Sequence, residues 1–135
     1  MRVAFGTDEQ TPLSVTVATH LTNAGHAVEA VADPAPWPEV GRAVGEAVAA
    51  GRADRGVVCC WTGTGVSIAA NKVPGVRAAL CVDAETARGA RQWNDANVLA
   101  LSLRLTSEQV AAEILDAFLI TDADPAEADA IARLE

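Results

Sequence analysis

Short apolar stretches recur along this chain and alternate with segments of helical character. Arg2 to Gly6, His26 to Val31, Gly56 to Cys60, Val76 to Val82 and Val98 to Leu101 have the length and residue types of strands. Helix-compatible segments lie between them. The first starts at Thr11-Pro12, with proline in its opening turn, and runs through Leu13, Val17 and Leu21 to Gly25. The next resumes near Glu39, after the proline-rich loop Asp33-Pro34-Ala35-Pro36-Trp37-Pro38, and runs to Gly51. A third follows the Thr/Gly turn after Cys60 and reaches Asn71; a fourth is N-capped by Asp83 and runs through Arg91. Thr106-Ser107-Glu108 opens a long amphipathic helix through Leu119, and Asp124-Pro125 a final short one to Leu134.

Strands that alternate with helices predict βαβ units and an α/β fold. The expected architecture is a three-layer doubly wound sandwich of about five parallel strands, flavodoxin/Rossmann-like in order, with right-handed crossovers. Residues 1–121 read as a single α/β domain and residues 122–135 as a C-terminal helical tail. No internal repeat or low-complexity tract interrupts the pattern.

Composition narrows the function classes. Half of the 135 residues are hydrophobic but only 4% are aromatic, so the core is built from Ala, Val, Leu and Ile. No apolar run approaches the ~18 residues of a membrane span, and the N-terminus reads as a strand rather than a signal peptide. Cys59 and Cys60 are adjacent and the count of three cysteines is odd, which does not suit a disulfide framework. A reduced, cytoplasmic setting is expected. The net charge of −8 leaves no basic stripe for nucleic acid. Beyond Thr106 the acids Glu108, Glu113, Asp116, Asp122, Asp124, Glu127, Asp129 and Glu135 are met by one base, Arg133. Cys59, Cys60, Cys81, His20 and His26 show none of the usual zinc spacings, so no metal is expected. The glycine turn follows the third strand with no suitably placed acid downstream, so no dinucleotide or other cofactor is expected either.

The candidate chemistry sits in Cys59-Cys60-Trp61-Thr62-Gly63-Thr64-Gly65-Val66-Ser67-Ile68-Ala69-Ala70-Asn71-Lys72. A strand, a glycine turn and a helix start aim backbone N–H groups at an anion. Cys60 lies at the strand's C-terminal tip, where open parallel sheets bind ligands. It is either a base or nucleophile beside an oxyanion cradle, or a buried inert thiol in a tight turn. Gly6-Thr7-Asp8-Glu9 ends the first strand on the same edge; its acids can bind a hydroxylated ligand, orient a proton, or merely suit a helix start. Arg91-Gln92-Trp93-Asn94-Asp95-Ala96-Asn97-Val98 taken alone is turn chemistry before the fifth strand.

Taken together, these segments resemble the ribose-5-phosphate isomerase B / galactose-6-phosphate isomerase family. In that family the first strand ends in Gly-Cys-Asp-His, read here as Gly6-Thr7-Asp8-Glu9. A Cys-Gly-Thr-Gly-x-Gly turn and a Ser-Ile-Ala-Ala-Asn-Lys helix follow the third strand, in register with Cys60 to Lys72. The later Arg-Gln-His-Asn-Asp-x-Asn-Val-Leu signature reads Arg91 to Leu99, with Arg104 after the strand. The resemblance spans nearly the whole chain. It implies aldose–ketose isomerisation through a cis-enediolate, with Cys60 as base and Thr62 as proton relay. By the same resemblance the amides of Gly63, Thr64 and Gly65 hold the enediolate oxygen, and Asp8, Glu9, Trp61, Trp93, Asn94 and Arg104 lie at the substrate. Some members use a glutamate where Val66 stands. The family's assembly implies a homodimer, or a tetramer, with the tail packing on the partner.

The departures from the family matter as much. Glu9 replaces one histidine, and Trp93 replaces the histidine that opens the sugar ring. Trp61 replaces the turn's second glycine. The C-terminal Arg-His-x-x-Arg, which reaches a partner's phosphate pocket, corresponds to Ala123-Asp124-Pro125-Ala126-Glu127. A dianionic phosphate would lose charge-assisted hydrogen bonds there. The expected substrate is therefore a sugar-like molecule with less phosphate or none. The alternative is a non-catalytic relative, serving as a binding module or as the partner subunit of an active paralogue.

Overall fold

The computed structural model describes residues Met1–Glu135. Five strands, β1 (Arg2–Thr7), β2 (Ala27–Ala32), β3 (Arg55–Cys60), β4 (Ala78–Leu80) and β5 (Val98–Ser102), form one parallel sheet in the order β2-β1-β3-β5-β4. Helices α1 (Pro12–Asn23), α2 (Trp37–Ala49), α3 (Thr64–Asn71), α4 (Ala84–Asn94) and α5 (Glu108–Ile120) cover its two faces. A 3-10 turn (Pro125–Glu127) and a short α6 (Ala128–Ala132) end the chain. This is the doubly wound α/β sandwich that the alternating pattern predicts. No helix is long and apolar enough to cross a membrane.

The first three strands follow the flavodoxin-like order; the last two are exchanged relative to it. Burial explains the exchange. Every residue of β5 is buried, so this strand needs cover on both faces and neighbours on both sides. β4 is three residues long and only partly buried, and it takes the edge. Right-handed crossovers then place the helices. β1 to β2 and β4 to β5 step one way across the sheet, whereas β2 to β3 and β3 to β4 step the other. Hence α1, α4 and α5 pack on one face and α2 and α3 on the opposite one.

Successive strand side chains alternate between the faces, so each strand feeds two cores. Val57, Cys59, Leu99 and Leu101 join Phe5, Leu21, Ile114 and Phe118 under α1, α4 and α5. Val58, Cys60, Val98 and Ala100 join Val40, Val44 and Val66 under α2 and α3. The adjacent cysteines thus belong to different halves of the interior.

Helices α2 and α3 meet at a glycine. A Cβ on Gly41 would lie 2.5 Å from the Ala69 Cβ and 2.7 Å from the Ala70 nitrogen. Backbone cannot yield as a side chain can. Gly41→Ala is expected to cost about 1–3 kcal/mol by overpacking, read as a lower denaturant midpoint. An unchanged midpoint would mean that α2 and α3 can part freely.

Several boundaries differ from the sequence expectation, each for a local reason. Helix α2 opens at Trp37 rather than near Glu39, because Pro36 forms its N-cap and Pro38 falls in the first turn, where no N–H is needed. Helix α4 continues past Arg91 to Asn94 and closes on Asp95 at φ 47. Trp93 and Asn94 are therefore helical rather than in a loop. β4 is shorter than Val76 to Val82: the Arg77 N–H bonds to Asn97 Oδ1 at 2.7 Å. The Asn71 amide occupies both the N–H and the C=O of Ala78, at 2.8 and 3.0 Å. The tail, expected as one helix, breaks into the 3-10 turn and α6. It lies against α4 of its own chain, where the Asp124 N–H donates to the Gln92 carbonyl at 2.9 Å.

Candidate functional site

The connections leaving β1 and β3 run in opposite directions across the sheet, so the carboxyl ends of these two strands open a crevice. Thr7 pairs in register with Cys59, and the Asp8 N–H donates to the Cys59 carbonyl at 3.1 Å. Asp8 and Cys60 therefore share one rim. Together with Trp37, Trp61, Thr62, Thr64 and Gly65 they line a cavity of about 310 Å³, within the lower range of small-molecule sites.

The turn after Cys60 is shaped by Gly63, which N-caps α3 at φ 78. A Cβ there would lie 2.6 Å from Leu80 Cδ1 and 3.0 Å from the Leu101 carbonyl carbon. No side chain caps the helix, and its first bond is the Ser67 N–H to the Gly63 carbonyl at 3.3 Å. The leading N–H groups, on Thr64, Gly65 and Val66, are thus left for a ligand. Thr64 and Gly65 belong to the expected cradle of Gly63 to Gly65, and Val66 follows them in the same turn. Beside them the Thr62 and Thr64 hydroxyls form a hydrogen bond of 2.7 Å.

The turn is held from behind by the end of β5. The Leu103 N–H bonds to the Cys60 carbonyl at 2.9 Å, and the Arg104 N–H to the Trp61 carbonyl at 2.9 Å. Ser102 Oγ donates to the same Trp61 carbonyl at 3.0 Å and accepts from the Leu105 N–H at 3.1 Å. The Arg104 side chain is exposed and makes no ion pair with Asp or Glu.

Charge and burial separate the thiols. Cys59 is fully buried, and burial above all, then the neighbouring Cys60 and Asp8, drives its pKa far above the ordinary thiol value. It stays neutral. Burial pushes Cys81 up to about 11, with Asp83 adding to it. Cys60 is the thiol that reaches the cavity, at 5% exposure. Val66 is completely buried in the core, so no acid stands at that position.

Burial, and then the charge of Glu9, raise the pKa of Asp8 above the ordinary aspartate value. Its Oδ1 is buried and has no hydrogen-bond partner. The native chain therefore holds this proton more tightly than the unfolded chain does. Stability attributable to Asp8 falls as pH rises from about 4 through its raised pKa. Asp8→Asn is expected to flatten the pH dependence of the unfolding midpoint in that window. An unaltered slope would show that Asp8 carries no such penalty.

The remaining sequence candidates fall into two places. Glu9 is exposed on the same rim, its carbonyl accepting from Thr7 Oγ1 at 2.6 Å. Trp93 and Asn94 do not join Cys60 within one chain. They lie at the far end of α4, along the β4 edge. Trp93 packs on Gly89, where a Cβ would sit 2.8 Å from the ring, and borders a cavity of about 560 Å³ with Leu80 and Asp83. Asn94 also borders one of about 600 Å³ beside Leu134 and Glu135. Both cavities are larger than that at Cys60 but contain no thiol, and Arg77 in the second is tied to Asp95 and Glu135. Two residues escaped the sequence reading. Trp37 looks like spacer within a proline loop, yet that loop follows β2 onto the same rim; Ser102 gives no signal until its bond to Trp61 is seen.

Comparison with known proteins shows the family and the fold. Residues 3–134 match the family described as Ribose/Galactose Isomerase. Over 124 residues the chain is 40% identical to the galactose-6-phosphate isomerase subunit LacB of Clostridium acetobutylicum, covering 88% of this chain and 72% of that protein. It is 39% identical over 126 residues to ribose-5-phosphate isomerase B of Escherichia coli, covering 87% and 83%. The solved structure of ribose-5-phosphate isomerase B from Clostridium thermocellum superposes with a TM-score of 0.92 at 37% identity, covering 99% of this chain and 95% of that one.

Proposed function

The chain belongs to the ribose/galactose isomerase family, and from that membership we propose that it interconverts an aldose and a ketose carrying little or no phosphate, through a cis-enediolate. One observation carries the reading: the Cys60 cavity joins a thiol to an open helix N-terminus, yet its lining holds one carboxylate and no cation. The thiolate of Cys60 removes the C2 proton of the opened aldose. The free amides at the start of α3 receive the charge that develops on the oxygen, an effect worth roughly 3–4 kcal/mol per donor. Thr62 passes a proton from O2 to O1, and Cys60 returns its proton to C1 to give the ketose. Asp8, Trp61 and Thr64, which line the cavity, hold the hydroxyl-bearing chain; the family resemblance adds Glu9 and Arg104, which lie outside that lining. An indole has no proton to exchange near neutrality, so Trp93 cannot open a sugar ring as a histidine does. The enzyme takes the open-chain form.

The separation of Trp93, Asn94 and the tail from Cys60 supports a homodimer, or a tetramer, in which one copy completes the other's cavity. Three free cysteines suit a reducing cytoplasm. In such an assembly Ala123 and Glu127 stand where the resemblance places arginines, and they disfavour phosphate. Ribose 5-phosphate is expected to bind at least about tenfold more weakly than to a relative with those arginines, ~1.4 kcal/mol. Glu127→Arg should recover part of the loss. Calorimetry with ribose 5-phosphate tests this: tight, salt-sensitive binding by the unmodified protein would contradict the phosphate-poor substrate.

A further inference from the structure

We infer that Trp37 and Trp61 form an aromatic clamp that grips the C–H face of an uncharged sugar over Cys60. This rests on the isomerase reading of the same cavity and names the feature that selects its substrate class. The chain has three tryptophans, and two of them line this one small cavity. Both are about half in water, Trp37 at 46% and Trp61 at 51% exposure. Single exposed apolar side chains are ordinary; two large rings on one cavity form a patch with a use.

The Trp37 ring is set in place by the backbone it packs on. A Cβ on Gly65 would lie 2.9 Å from both Cδ2 and Cε3 of Trp37, so this ring rests against the first turn of α3 and only glycine admits it there. The backbone of Trp61 is held at the turn through its carbonyl, which accepts from both the Arg104 N–H and Ser102 Oγ, and its ring borders the same cavity. The polar complement is Asp8 Oδ1, buried on the same rim with no partner and able to accept from a ligand hydroxyl.

Ring faces carry the negative end of the aromatic quadrupole. They attract the weakly positive C–H bonds on one face of a sugar and repel an anion. Asp8 is the only charged residue lining the cavity. Aromatic walls, one unmet acceptor and no cation describe a site for a neutral polyhydroxylated carbon chain, in which hydroxyls meet Asp8 and the C–H edges meet the indoles.

The test uses the full-length protein and the matched probes D-ribose and D-ribose 5-phosphate. Saturation-transfer NMR should show the ribose C–H protons receiving magnetisation from the aromatic side chains. Trp37→Leu and Trp61→Gly should each weaken D-ribose binding by about fivefold, with the effect on turnover falling on KM rather than kcat. Trp37→Phe should restore most of it, which a purely structural role for the indole would not require. Because Trp37 packs on α3, Trp61→Gly keeps the test open if Trp37→Leu fails to fold. D-ribose affinity unchanged in Trp61→Gly, or no saturable D-ribose binding by the unmodified protein, overturns the clamp. Clamp-dependent binding without any solvent exchange into the sugar would remove the isomerase reading and leave the clamp standing. Exchange that is indifferent to both substitutions would do the reverse.

Discussion

Cys60→Ala is expected to lower the exchange of solvent deuterium into the substrate by about 10²–10⁴-fold or more, the usual contribution of a positioned acid–base group. The fold should survive, since Cys60 borders a cavity and loses only its sulfur. Cys59 provides the contrast. It is the neighbouring residue on β3, but its side chain enters the opposite core, beneath α1, α4 and α5. Its thiol is completely buried and held neutral. Cys59→Ala should lower stability by about 1–2 kcal/mol as a large-to-small core change while leaving exchange in place. Exchange that survived in Cys60→Ala would remove the thiol from the chemistry.

Arg91→Ala should have the largest effect on stability. Arg91 is 2% exposed, the largest fully buried side chain in the protein. Its Nη1 donates to Asp95 Oδ1 at 2.8 Å and to the Ala96 carbonyl at 2.6 Å. Its Nε donates to the Thr121 carbonyl at 2.9 Å, and the guanidinium lies 5.9 Å from the Phe118 ring centre. One side chain thus ties the end of α4, the Asp95 cap and the root of the tail together. Removing it strands those acceptors, at a cost of about 3–5 kcal/mol. Lysine should not rescue, because a point charge cannot span three acceptors as the planar fork does. Denaturant unfolding of Arg91→Ala and Arg91→Lys checks this; a loss below about 1 kcal/mol in Arg91→Ala would mean that water replaces the guanidinium. These bonds also commit Arg91 to structure, so it has no free charge for a phosphate.

Much of this was legible in the chain itself. The five apolar stretches became five strands, and Cys60 fell at a strand tip beside a glycine turn, because both signals are local. The exchange of β4 and β5 was not legible. Val76 to Val82 and Val98 to Leu101 look alike as apolar runs; only packing shows that the second is buried throughout while the first pairs on one side. The span of α4 depended on Asp95 adopting a left-handed cap, which its own sequence neighbours do not announce. The gap between Cys60 and Trp93 could not be read either, since it depends on which end of α4 the helix presents to each strand edge. Trp37 reached the site through β2, a connection visible only once the sheet order is known.

The central proposal is that this chain moves a proton between C1 and C2 of a sugar that carries little or no phosphate. The most direct measurement is NMR of D-ribose and other unphosphorylated aldoses and ketoses incubated with the unmodified protein in D₂O. The account predicts deuterium at aldose C2 and ketose C1, faster for a neutral sugar than for its phosphate ester. No incorporation into any neutral sugar, alongside ready incorporation into ribose 5-phosphate, would contradict it.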